Sequence, residues 1–343
     1  MLVCGERYTW RGETGMKRRE FLALVGGAIA APSIWPTAAR TQQQSMPVIG
    51  FLHPGFPDSS APSFEALRRG LRDAGLGADE TIKIEARWAR GQPTTLAQMA
   101  LELIQLRVAV LVVTARPSIE AARAATKELP IVANDLESDP VASGYVESLA
   151  HPGGNITGAF LDAPSLCGKW LQQILEIVPN AKKIAVLWDA TTGSYQFSAI
   201  KAAAEARSIE IVVMEFRDNA GLEAALNLGL KAEPEAAILL GSPLIRQGGQ
   251  RIAAILASRR VPAISQFRTF PDGGGLISYG PDLVHLYQSI GPYVARILRG
   301  ARPADLPIQR PTKFEFVINL KAAKALGLTV SPSLLTYVDE VIE

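Results

Sequence analysis

From residue 46 onward the chain repeats one unit, a short apolar run followed by a stretch with helical spacing, and that repetition restricts it to an α/β fold. Met46 to Leu52 is a buried strand that stops at the turn His53-Pro54-Gly55. Ser63 to Ala74 places Phe64, Leu67 and Leu71 on one helical face, and Gly75 ends it. Thr81 to Trp88 alternates Ile82, Ile84 and Ala86, a second strand. A helix from Thr94 or Thr95 to Leu106 follows, then the β-branched run Val108 to Val113, a helix opening at Pro117 or Ser118, and a strand over Pro130–Ala133. The pattern then restarts. Strands are expected at 183–188, 210–216, 236–240 and 262–264, with helices at 194–208, 221–230 and 250–259 between them. Strands separated by helices predict a parallel, doubly wound sheet, and two such series predict two lobes.

The turn formers of His151 to Gly158 mark the first junction between the series. Further breaks at Asp272 to Gly275 and Arg302 to Ile308 predict that the chain crosses between lobes three times, near 155–159, 276–280 and 308–314. The expected division is 46–155 with 279–310 as one lobe and 156–278 with 311–343 as the other. Ligands of open parallel sheets bind at the carboxyl ends of the strands. Two such lobes, hinged at their base, can close on a ligand.

Charge excludes one large class of partner. Six of the 35 Lys and Arg lie in residues 1–41, against three of the 33 Asp and Glu, which leaves the rest within one charge of neutral. Such a body has no electrostatic footprint for nucleic acid. The six basic residues include Lys17-Arg18-Arg19, ahead of an apolar run from Leu22 to Ile34 and the small residues Thr37-Ala38-Ala39. That order reads as a secretory signal over residues 1–41, too short to span a bilayer, with cleavage after Ala39 or Thr41. The run Arg18-Arg19-Glu20-Phe21-Leu22 resembles a twin-arginine export signal. Residues 1–15 read as an over-called start, with the signal beginning at Met16. A periplasmic location follows from this reading.

No catalytic constellation emerges. The chain lacks a phosphate loop, a nucleophile elbow and an HExxH pair, and its three histidines, His53, His151 and His285, are far apart in sequence. Cys4 and Cys167 make no disulfide framework, and Cys167 reads as a small buried residue. No cofactor and no metal is expected. The candidate ligand contacts are instead polar and aromatic residues at strand ends. His53 ends the first strand. Thr114, Arg116 and Ser118 stand at a strand-to-helix turn, where backbone N–H groups favour an anion and an arginine can grip a carboxylate. Asn134, Glu137 and Asp139 follow the fourth strand; Asp139-Pro140 reads equally as a turn start. Trp188 and Tyr195 offer an aromatic wall for the second lobe, and Ser242 and Gln266 end later strands there.

Three long segments carry a family resemblance: His151-Pro152-Gly153-Gly154-Asn155-Ile156-Thr157-Gly158, Gly274 to Asp282 (Gly-Gly-Leu-Ile-Ser-Tyr-Gly-Pro-Asp), and Pro311 to Leu328. With Ser138-Asp139-Pro140-Val141 they run in the same order as in ABC-transporter substrate-binding proteins of the tryptophan/tyrosine type, which the chain resembles over about residues 46–343. The resemblance implies the type I periplasmic-binding fold and delivery of a small solute to an inner-membrane ABC permease; a cleft-facing Arg116 with the aromatic face of Trp188 favours an amino acid or an aromatic or branched carboxylate as that solute. It also implies no catalysis, and a monomer is expected. Two loops depart from the family's pattern. Thr114-Ala115-Arg116-Pro117 stands where the family usually has Thr-Gly-Thr-Pro, and Trp188-Asp189-Ala190 where it usually has Asn-Pro. Both loops should face the ligand, so the resemblance does not name the solute. A ligand-sensing subunit for a membrane receptor would carry the same features, and a neighbouring permease and ATPase gene would separate the two. A periplasmic isomerase on a related two-lobe fold would need paired acid and base groups that the sequence does not display.

Overall fold

Two parallel sheets, each with the same internal strand order, organise the molecule. The computed structural model describes residues 46–77, 81–135 and 139–343. The signal segment read in residues 1–41, Cys4 and Glu137 lie outside the described residues. The first sheet holds β1 (Val48–His53), β2 (Lys83–Trp88), β3 (Val110–Thr114), β4 (Ile131–Asp135) and β5 (Ile156–Phe160), in the order β2-β1-β3-β4-β5. All its pairings are parallel. The helices α1 (Pro57–Asp73), α2 (Leu96–Gln105) and α3 (Ala115–Ala125) connect these strands.

After α4 (Ala163–Ile177) the second series runs β6 (Lys183–Asp189), α5 (Tyr195–Glu205), β7 (Glu210–Phe216), α6 (Gly221–Gly229), β8 (Ala236–Leu239), α7 (Pro243–Gln247), α8 (Gly249–Ser258), β9 (Ala263–Ser265), α9 (Thr269–Asp272) and β10 (Ile277–Pro281). The helix α10 (Leu283–Leu298) is followed by β11 (Phe314–Asn319), α11 (Leu320–Leu326), α12 (Pro332–Leu335) and β12 (Glu340–Ile342). The second sheet has the order β12-β11-β10-β9-β8-β6-β7, with β11 antiparallel to β10. The run β7-β6-β8-β9-β10 repeats the first sheet's arrangement, including the reversal of strand order beside its first strand.

Each sheet is covered on both faces, which is why its central strands are continuous apolar runs. One face of the first sheet packs Ile49, Phe51, Val112 and Val132 against Leu67 and Leu71 of α1 and Leu286, Ile290 and Val294 of α10. Its other face meets α2 and α3 through Leu103, Ile119 and Ala122. In the second sheet Ile184, Val186 and Ile238 pack on Trp170 and Ile174 of α4, and Leu187 and Leu239 pack on Leu222, Leu226 and Ile252.

The first two changes of sheet lie a few residues beyond the expected positions. β5 pairs with β4, so residues 156–160 fall with the first sheet, where the sequence reading had begun the second lobe. The turn formers 151–154 precede an edge strand of the same sheet and are not the crossing. β10 stays with the second sheet through Pro281, and only from Leu283 does α10 return to the first core. The third passage lies between Gln309, bridged to Ala159, and Phe314.

Candidate functional site

The carboxyl ends of β1, β3 and β4 line up a row of buried polar side chains. Pairing of Leu52 with Val113 and of Thr114 with Asn134 makes His53, Thr114 and Asn134 lateral neighbours. By strand alternation all three share the face that carries Phe51, Val112 and Val132, the α10 face. All three are fully buried. The Nδ1 of His53 accepts the Gly55 N–H at 2.9 Å, which places the ring proton on Nε2. That Nε2 has no partner among the described residues. Burial, and next the charge of Arg246, hold the His53 pKa well below 6.5, so the ring is a neutral donor. It packs against Trp88 with 4.9 Å between ring centres. Among the described residues neither amide atom of Asn134 is paired, while Thr114 Oγ1 accepts from the Tyr287 hydroxyl at 3.2 Å. Ser118, one turn into α3, is fully buried with an unpartnered Oγ.

The second sheet presents its own strand ends. Asp189, Ser242 and Gln266 stand at or just beyond the ends of β6, β8 and β9, and all are buried. Ser242 Oγ donates to Asp189 Oδ2 at 2.6 Å and accepts the Leu244 N–H at 3.0 Å, capping α7. Asp189 Oδ1 accepts from the Thr191 amide and hydroxyl. Burial raises the Asp189 pKa, and these hydrogen bonds oppose the rise. Gln196 clamps the loop after β8 by exchanging two hydrogen bonds with the Gly241 backbone, at 3.0 and 2.8 Å. Gln266 is 2% exposed and both its amide atoms lack partners among the described residues; Ser278 Oγ is in the same condition.

Arg246 joins the two halves. From α7 it donates to the Ser59 carbonyl at 3.0 Å and to Ser60 Oγ at 2.5 Å, both on α1. Its residue is 9% exposed, and no carboxylate of the described residues pairs with it. Burial lowers its pKa, yet a guanidinium stays charged at neutral pH. Phe267, next to Gln266, sits in the core of the first sheet. Beside Arg246, Gln266 and Ser278 opens a cavity of about 530 Å³, between α1, α7, α9 and the segment 280–284.

The expected contacts therefore separate into two groups. His53, Thr114, Ser118 and Asn134 gather in the first lobe, and Ser242 and Gln266 lie at strand ends of the second. Arg116 forms an ion pair with Glu120 at 3.7 Å, and its side chain is 29% exposed. Its guanidinium also lies against Gly193 of the second series. Asp139 accepts the Val141 and Ala142 N–H groups, the turn that its Asp-Pro sequence allowed. Trp188 stacks on Phe197 at 4.7 Å and donates to the Gly193 carbonyl, and it packs on the α4 side of the second sheet. Tyr195 is half-buried at the first residue of α5. Arg246, Gln196, Ser278 and Tyr287 were not anticipated. Arg246 carried a usable signal, a basic residue one helical turn after the strand-end Ser242-Pro243. Among the described residues no group of His, Cys, Asp and Glu is arranged to hold a metal ion. Burial pushes the Cys167 thiol up to about 12, which leaves it no nucleophilic character.

Known proteins share this fold. Over 273 residues the chain is 25% identical to the tyrosine-binding protein of Clostridioides difficile (strain R20291), covering 78% of each. It superposes on a Streptococcus pneumoniae ABC domain in complex with L-Trp with a TM-score of 0.80 at 25% identity, covering 87% of this chain and 100% of that one. A conserved domain protein of Vibrio cholerae gives 0.81 at 23% identity, over 86% and 99% of the two chains. The fold is that of the type I periplasmic binding proteins, and two of these relatives, the tyrosine-binding protein and the domain in complex with L-Trp, are named for a solute. The family model of ABC transporter substrate binding proteins matches residues 57–342, and the chain belongs to that family.

Proposed function

We propose that this protein is the exported capture component of an ABC importer, closing two lobes around a small carboxylate-bearing solute and presenting it to a membrane permease. Unpartnered, fully buried polar side chains contributed by both lobes carry the reading: His53, Ser118 and Asn134 from one, Gln266 and Ser278 from the other. Leaving a buried donor or acceptor unpaired costs about 1–3 kcal/mol. Several at one set of strand ends are tolerated where a ligand supplies the missing bonds. The buried Arg246 adds a positive charge, so the solute carries an anionic group. Arg116, held in an ion pair nearer the surface, takes a supporting place at the lobe boundary. Trp88 and Phe51 beside His53 supply apolar contact for an aromatic or branched side chain. The protein acts as a monomer in the periplasm, reached through the signal in residues 1–41.

A thermal-shift screen with amino acids, aromatic acids and small carboxylates tests the binding. A solute at 100 times its Kd should add about 2.7 kcal/mol, a rise of roughly 5 °C in a chain of this size. Failure of every class of solute to shift the transition would remove the reading. N-terminal sequencing of the exported protein should begin near residue 40 or 42.

A further inference from the structure

We infer that Asp189 is a positioning residue for the tie between the lobes: acting through Ser242, it holds α7 where Arg246 reaches α1 and lines the cavity. This rests on the solute-capture reading, in which Arg246 meets the anionic group, and gives Asp189 a part in capture without contact to solute. The helix α7 has five residues, too few to keep a direction by itself. Its direction comes from its anchors. Ser242 is fully buried, and its Oγ accepts the Leu244 N–H at 3.0 Å and the Ile245 N–H at 3.5 Å. The Ser242 carbonyl accepts the Arg246 N–H at 2.9 Å. The cap therefore stands one helical turn before the guanidinium that bonds Ser59 and Ser60.

A serine hydroxyl can rotate, and Asp189 decides where this one points. Its Oδ2 takes the Ser242 proton at 2.6 Å, which leaves the lone pairs of Oγ to the N–H groups of α7. Its Oδ1 takes the Thr191 N–H at 3.0 Å and the Thr191 hydroxyl at 2.7 Å. A carboxylate accepts at both oxygens, whereas an amide would accept at one and turn donors toward Thr191 or toward the cap. Asp189 is 2% exposed, and hydroxyl and amide donors meet its charge. Burying a charge is costly unless hydrogen bonds compensate it. Two of these bonds stay within its own turn; the bond to Ser242 alone carries its influence from β6 to the start of α7. Gln196 braces the same junction through Gly241. Both anchors belong to the connection 189–196, whose Gly193 lies against Arg116 of the first lobe. The segment that fixes α7 is thus itself seated on the opposite lobe.

The test reads Arg246 directly and needs no solute. The mature protein is treated with phenylglyoxal, which adds to accessible guanidinium groups, and peptide mass mapping follows Arg246 against the exposed Arg207. Arg246 should be modified about 10-fold faster in Asp189→Asn and in Ser242→Ala, the shift expected from losing one helix cap. Because the two residues act in series, the double variant should be no faster than either single one. Ile174→Ala is the control: it opens a cavity under α4, on the other face of the second sheet, and should leave Arg246 protected despite a lowered melting temperature. Unchanged protection of Arg246 in Asp189→Asn overturns the inference, even if Ser242→Ala does not fold. Effects that multiply in the double variant, or equal exposure of Arg246 in Ile174→Ala, overturn it too. Release of Arg246 as expected in a protein that binds no solute of the screen would fail the capture reading and leave the positioning intact.

Discussion

His53 concentrates the electrostatics of the site in one side chain. Its native pKa is held well below 6.5, whereas in the unfolded chain it titrates at the ordinary value. Below pH 6.5 the unfolded state therefore binds more protons than the native state. The stability this residue supports is complete above pH 6.5 and declines as pH falls, by up to about 1.4 kcal/mol per pH unit. His53→Asn retains an acceptor for the Gly55 N–H and cannot titrate, so urea unfolding of the variant should lose that part of the slope between pH 7.5 and 5.5. Equal slopes in both proteins would show that His53 is hydrated in the native state. At this scale the sequence was legible where side chains end strands, because the carboxyl edge of a parallel sheet is fixed by the strand pattern. It was not legible for charge. Arg116 and Arg246 both follow a strand by a few residues; the first meets Glu120 one turn on in its own helix, and only tertiary packing decides that the second reaches α1. Ala115 is a related case: it occupies a left-handed conformation, φ 61°, where the family's pattern has glycine. The departure left the turn in place despite the strain.

Elements were easier to read than their attachments. Periodicity located β1–β4, β6–β9 and the helices α1–α3, α5, α6 and α8, since 3.6-residue and 2-residue patterns are local properties, but it left the long helices α4 and α10 and the strand β5 unread. It misjudged the crossings because the residues 151–154 look like a domain boundary and make only a turn before β5. How closely α10 approaches α1 is a property that a sequence pattern does not reveal. Gly70 of α1 and Gly291 of α10 face each other so tightly that a Cβ on either would overlap backbone of the other helix. Because the obstruction is backbone, it cannot rotate away. Overpacking of this kind costs about 1–3 kcal/mol, against a gain of about 1 for alanine's helix propensity. Overlap with backbone puts the cost at the upper end of that range, so Gly291→Ala should destabilise the protein by about 2 kcal/mol net in chemical denaturation. Adding Gly70→Ala should cost less than the sum of the single changes, since helices already parted accept the second methyl group. A neutral Gly291→Ala would mean that α1 and α10 slide apart at no cost.

For the whole molecule the decisive relation is between the lobes, which three chain passages connect and Arg246 draws together. The bonds from Arg246 to Ser59 and Ser60 exist only while α7 lies against α1. Closure buries that guanidinium without a counter-ion, at a cost that the two hydrogen bonds meet only in part. On the proposed capture reading such an arrangement is poised: unfavourable enough to open without solute, favourable once an anion completes the charge. A ligand shifts such an equilibrium only by its differential affinity for the two states, and contact with both lobes provides the difference. Small-angle scattering of the mature protein should report a larger radius of gyration without solute than with a solute found by screening. Arg246→Gln keeps a donor for Ser59 and removes the buried charge. Its solute-free form should be more compact than the parent's, and adding the carboxylate solute should produce little further contraction and much weaker binding. A variant that opens more widely than the parent would instead make Arg246 a latch whose bonds to α1 outweigh the burial of its charge. The sign of that single change in radius therefore decides whether the buried charge opens the lobes or holds them shut.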